Sequence, residues 1–123
     1  MDEHGTVFLI DDDPSVRDAL TLLLSLKGLR TQPFASAESF IETYRPEWQG
    51  CVLTDLRMPG MTGLELQAVL RERRIEVPVV VLTAHASAAE TAGLMHAAGF
   101  LRKPVALPTL LATVRQYCRS KAV

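Results

Sequence analysis

The chain has 123 residues, enough for one domain with its own core, expected to span 1–123. Hydrophobic residues make up 48% of it, as in an ordinary soluble domain, and the formal net charge of −1 excludes the basic excess of a general nucleic-acid or membrane-surface binder. The polar start Met1-Asp2-Glu3-His4-Gly5 is no signal peptide, and no apolar run reaches the roughly 20 residues a bilayer span needs, so a cytoplasmic protein is expected.

Short β-branched runs alternate with helical patterns along the chain. The first run, Thr6–Ile10, is apolar nearly throughout and stops at Asp11-Asp12-Asp13. Asp13 can cap a first helix, with Pro14 at the position where no N–H is needed. The apolar stripe of that helix is Val16, Ala19, Leu20, Leu23 and Leu24, and Gly28 suits a left-handed exit. Arg30–Phe34 predicts a second strand, and Ser36 a cap for a short helix carrying Phe40, Ile41 and Tyr44; Tyr44 and Trp48 are expected to cover core edges. Gly50–Thr54 predicts a third strand, running into Asp55 and a Pro59-Gly60 loop where Met58 and Met61 pack.

Thr62-Gly63-Leu64-Glu65 is a capping box for a third helix presenting Leu66, Val69 and Leu70. The charged stretch Arg71-Glu72-Arg73-Arg74 at its end predicts a solvated face, where cations favour the helix dipole. Val77–Leu82, the fourth strand, meets Thr83-Ala84, and Ser87-Ala88-Ala89-Glu90 opens a fourth helix. Phe100–Arg102 precedes Lys103-Pro104, and a fifth helix from about Pro108 carries Leu110, Leu111, Val114, Tyr117 and Cys118. The two cysteines, Cys51 and Cys118, lack metal-ligand spacing and are expected to be reduced thiols.

Five βα units predict an α/β fold: a doubly wound parallel sheet with helices on both faces. Ligands of such sheets bind beyond the carboxyl ends of the strands, where strand order reverses. Asp11, Asp12, Asp55, Thr83 and Lys103 all fall at such ends. Two carboxylates about 5 Å apart repel by roughly 3 kcal/mol at an effective dielectric of about 20, so protonation, a lysine or a divalent cation must relieve them. Oxygen-only donors suit Mg²⁺ or Mn²⁺. A metal beside a partly desolvated Asp55 makes a nucleophile for phosphoryl transfer, giving an aspartyl phosphate. Lys103 can supply charge to the phosphoryl oxygens; the Thr83 hydroxyl and the Ala84 N–H can supply donors. Proline favours an extended Lys103, and a cis Lys103-Pro104 bond would aim the lysine inward, against general X-Pro statistics.

These four separated elements, the acidic pair Asp11-Asp12, Asp55 through Pro59-Gly60, Thr83-Ala84 and Lys103-Pro104, resemble the receiver domain of two-component response regulators over essentially the whole chain. The stretch Thr54 to Gly63 looks most like the FixJ-type subgroup, in which a helix-turn-helix domain usually follows the receiver. The resemblance implies a flavodoxin-like or CheY-like fold with strand order 2-1-3-4-5. It implies that Asp55 accepts phosphate from a sensor histidine kinase. Asp11, Asp12, Asp55 and the backbone carbonyl of Arg57 would hold Mg²⁺, and Thr83, Ala84 and Lys103 would contact the phosphoryl group. Phe100 would be the switch aromatic that follows Thr83. Arg57 and His85 would tune access of water. Read from the residues alone, His4 and His96 are expected at the surface. The fourth helix, fifth strand and fifth helix would signal to an output domain or a downstream protein, and could form a phosphorylation-dependent homodimer.

The chain departs from the family in two places. The stretch Leu94 to Phe100 is about two residues short, which should alter the entry to the fifth strand, and Val105 replaces a common aromatic. Two rival readings differ in class. Asp11-x-Asp13-x-Ser15 resembles the haloacid-dehalogenase phosphatase motif, with Asp11 as nucleophile and Asp13 as acid–base, but the later acidic ligands and a cap are missing. A receiver fold used purely as a phosphorylation-independent binding module is the other. A flavin-binding flavodoxin is disfavoured by the acidic first loop, where a phosphate cradle needs donors.

Overall fold

Runs such as Val7–Ile10, Cys51–Leu53 and Val79–Leu82 have no polar face, so they are stable only where helices cover both sides of a sheet. A computed structural model of the chain describes residues 5–118, and His4 lies outside them. The elements in order are β1 Thr6–Ile10, α1 Pro14–Leu26, β2 Thr31–Phe34, α2 Ala37–Thr43, β3 Gly50–Asp55, α3 Gly63–Glu72, β4 Val79–Thr83, α4 Ala88–Leu94, β5 Gly99–Arg102 and α5 Leu107–Tyr117. All strand pairs are parallel and the order is β2-β1-β3-β4-β5, as the resemblance implied. No helix among the described residues is long and apolar enough to cross a membrane.

The sheet separates two apolar clusters. Phe8, Ile10, Val52 and Val81 face the side covered by α2, α3 and α4, through Phe40, Leu66, Leu70 and Leu94. Val7, Leu9, Leu53 and Val80 face α1 and α5, through Leu24, Leu110, Leu111 and Val114. Trp48 stacks on Phe8 with centroids 5.3 Å apart, and Tyr44 packs against Phe40 at 5.6 Å, so both close the edge of the core as expected. Cys51 and Cys118 are buried free thiols, and the Cys118 Sγ–H donates to the Thr6 carbonyl at 3.2 Å.

Local signals hold at the helix starts. The Asp13 carboxylate accepts the Ser15 N–H at 2.9 Å, Ser36 accepts the Ser39 N–H at 3.1 Å, and Thr62–Glu65 and Ser87–Glu90 form complete capping boxes. Gly28 leaves α1 at φ +82°, while Leu29 N–H returns to the Leu24 carbonyl. Other boundaries move. β4 begins at Val79 because Pro78 has no N–H for the ladder, although its carbonyl accepts from Val52. Pro33 is tolerated in β2 because that strand is an edge. In α1, Ala19 and Leu23 are exposed, with Leu22 and Leu26, because the helix buries one narrow line through Leu24. The α5 cap is Ala106, which makes no side-chain bond, with Pro108 in the first turn.

Candidate functional site

Strand register alone assembles the rim. Ile10 pairs with Thr54, so Asp11 follows beside Asp55; Asp55 pairs with Leu82, one residue before Thr83; Thr83 pairs with Arg102, one residue before Lys103. Backbone bonds carry the alignment past the strand ends, from Leu56 N–H to the Leu82 carbonyl at 2.9 Å and from Lys103 N–H to the Thr83 carbonyl at 2.8 Å. β1 and β3 flank the point where strand order reverses, the place where an open α/β sheet leaves a crevice.

Asp55 is half-buried, and its Oδ2 accepts from Lys103 Nζ at 3.0 Å. The Lys103-Pro104 peptide is cis. Asp11 is buried at 4% exposure; its Oδ1 accepts the Asp13 N–H at 2.9 Å, and its carbonyl accepts from Arg17 Nη1 at 2.7 Å. Asp12 is exposed, and Asp13 is occupied as the α1 cap rather than free for acid–base work. Burial raises the Asp11 carboxyl above its ordinary value; Asp55 and Asp12 push it the same way, against the Asp13 N–H and Lys103. The rim is therefore over-supplied with negative charge, as expected.

Among the described residues, no group of three or more acidic, histidine or cysteine side chains is drawn together as a closed metal cage. Asp55 is instead engaged by Lys103. The donor chemistry still fits a hard dication: Asp11, Asp12 and Asp55 offer carboxylate oxygen alone, with one lysine set against three carboxylates. A group that is both nucleophilic and flanked by a lysine at such a rim can exchange a phosphoryl group.

The model of the response regulator receiver domain matches residues 7–115. The chain belongs to the response regulator receiver family. It is 40% identical over 117 residues to the transcriptional regulatory protein FixJ of Azorhizobium caulinodans, covering 94% of this chain and 56% of that protein. It is 37% identical to the C4-dicarboxylate transport transcriptional regulatory protein DctD of Pseudomonas aeruginosa, covering 94% of this chain and 25% of DctD. This receiver thus spans less than two thirds of either relative. Among solved structures, the crystal structure of FixJ-N superposes with a TM-score of 0.86 at 31% identity, each chain fully covered. The response regulator StyR gives 0.83 at 39% identity, over 94% of this chain and 59% of that one.

Two features of the receiver's rim go beyond the sequence reading. Arg57 Nη2 reaches Glu90 Oε1 at 2.6 Å, tying the β3–α3 loop to the first turn of α4 across the mouth of the site. The same oxygen accepts the Ser87 N–H at 2.9 Å, and that bond leads in holding the Glu90 carboxyl below the usual range. Arg17, one turn into α1, pins the β1–α1 loop through the Asp11 carbonyl; its place four residues after the cap was the available signal. The Thr83 hydroxyl donates to the His85 carbonyl at 2.9 Å, so it is turned to its own loop rather than to Asp55. Ala84 is exposed beside it, and Phe100 is 39% exposed. Beyond Lys103 an apolar cleft of about 550 Å³ opens between α1 and α5, lined by Val16, Leu20, Val105 and Leu110 among others.

The strain on Asp11 has a measurable sign. A carboxyl raised above its reference of 3.8 binds its proton more tightly in the folded state. Its charge therefore opposes folding, with no penalty below the unfolded value and a growing one as pH rises through the folded value. Asp11→Asn is expected to raise the thermal midpoint at neutral pH, with a gain that vanishes near pH 4. Midpoints measured across that range, equal for both proteins throughout, would contradict the assignment.

Proposed function

We propose that this chain is one receiver unit spanning 1–123, and that it accepts a phosphoryl group from a sensor histidine kinase onto Asp55. The supporting observation is the 3.0 Å approach of Lys103 Nζ to Asp55 Oδ2, across 48 residues, beside the buried Asp11. An Asp55 carboxylate oxygen attacks phosphorus, the P–N bond to the donor imidazole breaks, and the imidazole leaves with a proton. Asp11, Asp12, Asp55 and the Arg57 carbonyl would hold Mg²⁺ or Mn²⁺, which when bound neutralises charge on the phosphoryl oxygens and on the rim. Lys103 leaves its ion pair to hold a phosphoryl oxygen. The Thr83 hydroxyl exchanges the His85 carbonyl for another, and the exposed Ala84 N–H donates to the same group.

The same step supplies the switch. A phosphoryl group adds about −1.5 to −2 charge and several strong acceptors at one point. Drawing Thr83 inward vacates space that the half-exposed Phe100 ring fills, shifting the population between two packings of α4, β5 and α5. That surface would then act on an output domain or a downstream protein in transcriptional control, or pair two phosphorylated copies. Direct nucleic-acid binding is not assigned to this unit, and a cytoplasmic setting fits the kinase donor.

Acetyl phosphate with Mg²⁺ is expected to add one phosphoryl group per chain, and chelation to prevent it. In the modified protein the Phe100 ring resonances should move to a buried environment. Absence of incorporation would favour a phosphorylation-independent binding module, and incorporation with an unmoved Phe100 would remove the switch assignment.

A further inference from the structure

On the α5 side of the sheet, two nucleophilic side chains that phosphoryl transfer leaves unused meet in the core. Cys51 is the second residue of β3 and Cys118 is the C-cap of α5; both are fully buried and free. The Cys118 Sγ–H donates to the Thr6 carbonyl at 3.2 Å. The parallel register that pairs Thr6 with Gly50 aims the Cys51 N–H at that same carbonyl. The Cys51 side chain lies on the α5 face of the sheet, in one cluster with Val7, Leu53, Val114 and Cys118. The two thiols share this small space, and their sulfurs are hydrogen-bonded to each other.

The pair is polarised. The Cys118 sulfur beside it, and then burial, push the Cys51 thiol up, while the Cys51 S–H donating to Cys118 leads in holding the latter below its ordinary value. Cys118 is thus the thiol that ionises first. It also sits at a helix end. Its N–H donates to the Val114 carbonyl at 2.7 Å and its carbonyl accepts from the Gly5 N–H at 3.1 Å, so loosening one terminal turn uncovers it. Such end turns open at a small fraction of the cost of global unfolding. Cys51, inside the central β1–β3 ladder, has no comparable route to solvent.

We propose that Cys51 and Cys118 form a modification site, at which a peroxide joins them in an intrachain disulfide that staples the end of α5 to β3. The Cys118 thiolate attacks one peroxide oxygen, the O–O bond breaks, and the hydroxide released takes the thiol's proton to become water. As the turn closes, the Cys51 sulfur attacks the sulfur of the Cys118 sulfenic acid. The S–O bond breaks, and hydroxide leaves with the Cys51 proton as a second water. The two thiols together lose two electrons and one peroxide is reduced. Thiols already in contact need only a short movement to reach the S–S distance of about 2.05 Å. The inference is independent of phosphorylation at Asp55.

The probe is hydrogen peroxide applied to the folded chain, followed by alkylation and peptide mapping without reductant. The native protein is expected to lose about 2 Da, to yield a linked Cys51–Cys118 peptide without dimer, and to revert with dithiothreitol. Its thermal midpoint should rise by roughly 5 °C, because the bond closes a long loop. Amide exchange over 114–118 should slow by about tenfold or more. In Cys51→Ala the linked peptide should vanish and Cys118 should gain about 16 or 32 Da, as a sulfur left without a resolving partner. In Cys118→Ala, Cys51 should stay unmodified. A pair that only packs would leave both thiols reduced in the native protein, to be alkylated together after denaturation. That result, disulfides formed between chains instead, or Cys51 oxidised as readily in Cys118→Ala would overturn the proposal. So would a crosslink that leaves exchange over 114–118 unchanged.

Discussion

Asp55→Asn is expected to abolish phosphoryl incorporation from acetyl phosphate, from about one group per chain to none detectable. The carboxamide is nearly the same size, and its oxygen can still accept from Lys103 Nζ, so the packing around the rim is kept. It is not a nucleophile, however, and it offers a metal one neutral oxygen in place of a carboxylate. The loss should exceed about a thousandfold in rate, because no step of the transfer can proceed through the amide. Intact-mass analysis after treatment checks it, with circular dichroism confirming the fold. Incorporation that survives in Asp55→Asn but disappears in Asp11→Asn would place the acceptor at Asp11, as in the dehalogenase-type phosphatases. The cap bonds from Asp13 to Ser15 and Val16 oppose that outcome, since they occupy the carboxylate that such chemistry needs as its acid–base.

Gly50→Ala is expected to remove about 4 kcal/mol or more of stability, enough to unfold much of the population of a domain whose total is about 5–15 kcal/mol. Gly50 opens β3 at φ +150°, where L side chains are strained. An added Cβ would fall onto the Thr6 carbonyl oxygen, its register partner in β1, and backbone cannot yield as a flexible side chain would. Asp11 directly follows β1 and Asp55 ends β3, so the site is expected to fail with that central pair. Gly28→Ala is the control. It also has positive φ, at +82°, but a Cβ there meets nothing within 4 Å, and about 1–2 kcal/mol is expected. Urea denaturation of the two variants separates clash from conformational strain. Equal, small losses would show that β1 and β3 can part at that end without cost.

Much of the fold was legible because its signals are short-ranged. The Thr62 and Ser87 caps each bond within three residues, and apolar runs such as Val7–Ile10 declare burial on two faces without reference to the rest of the chain. Boundaries slipped where a ladder bond was missing, as at Pro78, or where a helix with surplus leucines buried a narrower line than its pattern suggested, as at Leu23. Gln67 was missed although it lies in the inward stripe of α3 with Leu66 and Leu70. A polar residue there is ordinarily satisfied or solvated, and the short stretch from Leu94 to Phe100 indicates a changed entry to β5 without indicating which face of α3 is left open.

The candidate site divides along the same line. Residue order by itself determined which groups end the strands: Asp11, Asp55, Thr83 and Lys103 each follow an apolar run, and a parallel sheet must bring such ends to one rim. The resemblance added their roles and the strand order. Which atoms meet was decided only in three dimensions. Lys103 on Asp55 spans 48 residues and Arg57 on Glu90 spans 33, while the Thr83 hydroxyl is satisfied two residues away instead of by the rim. Such pairings depend on register, loop path and competition among nearby acceptors. These are properties of the packed chain as a whole, to which hydrophobic period and capping are blind.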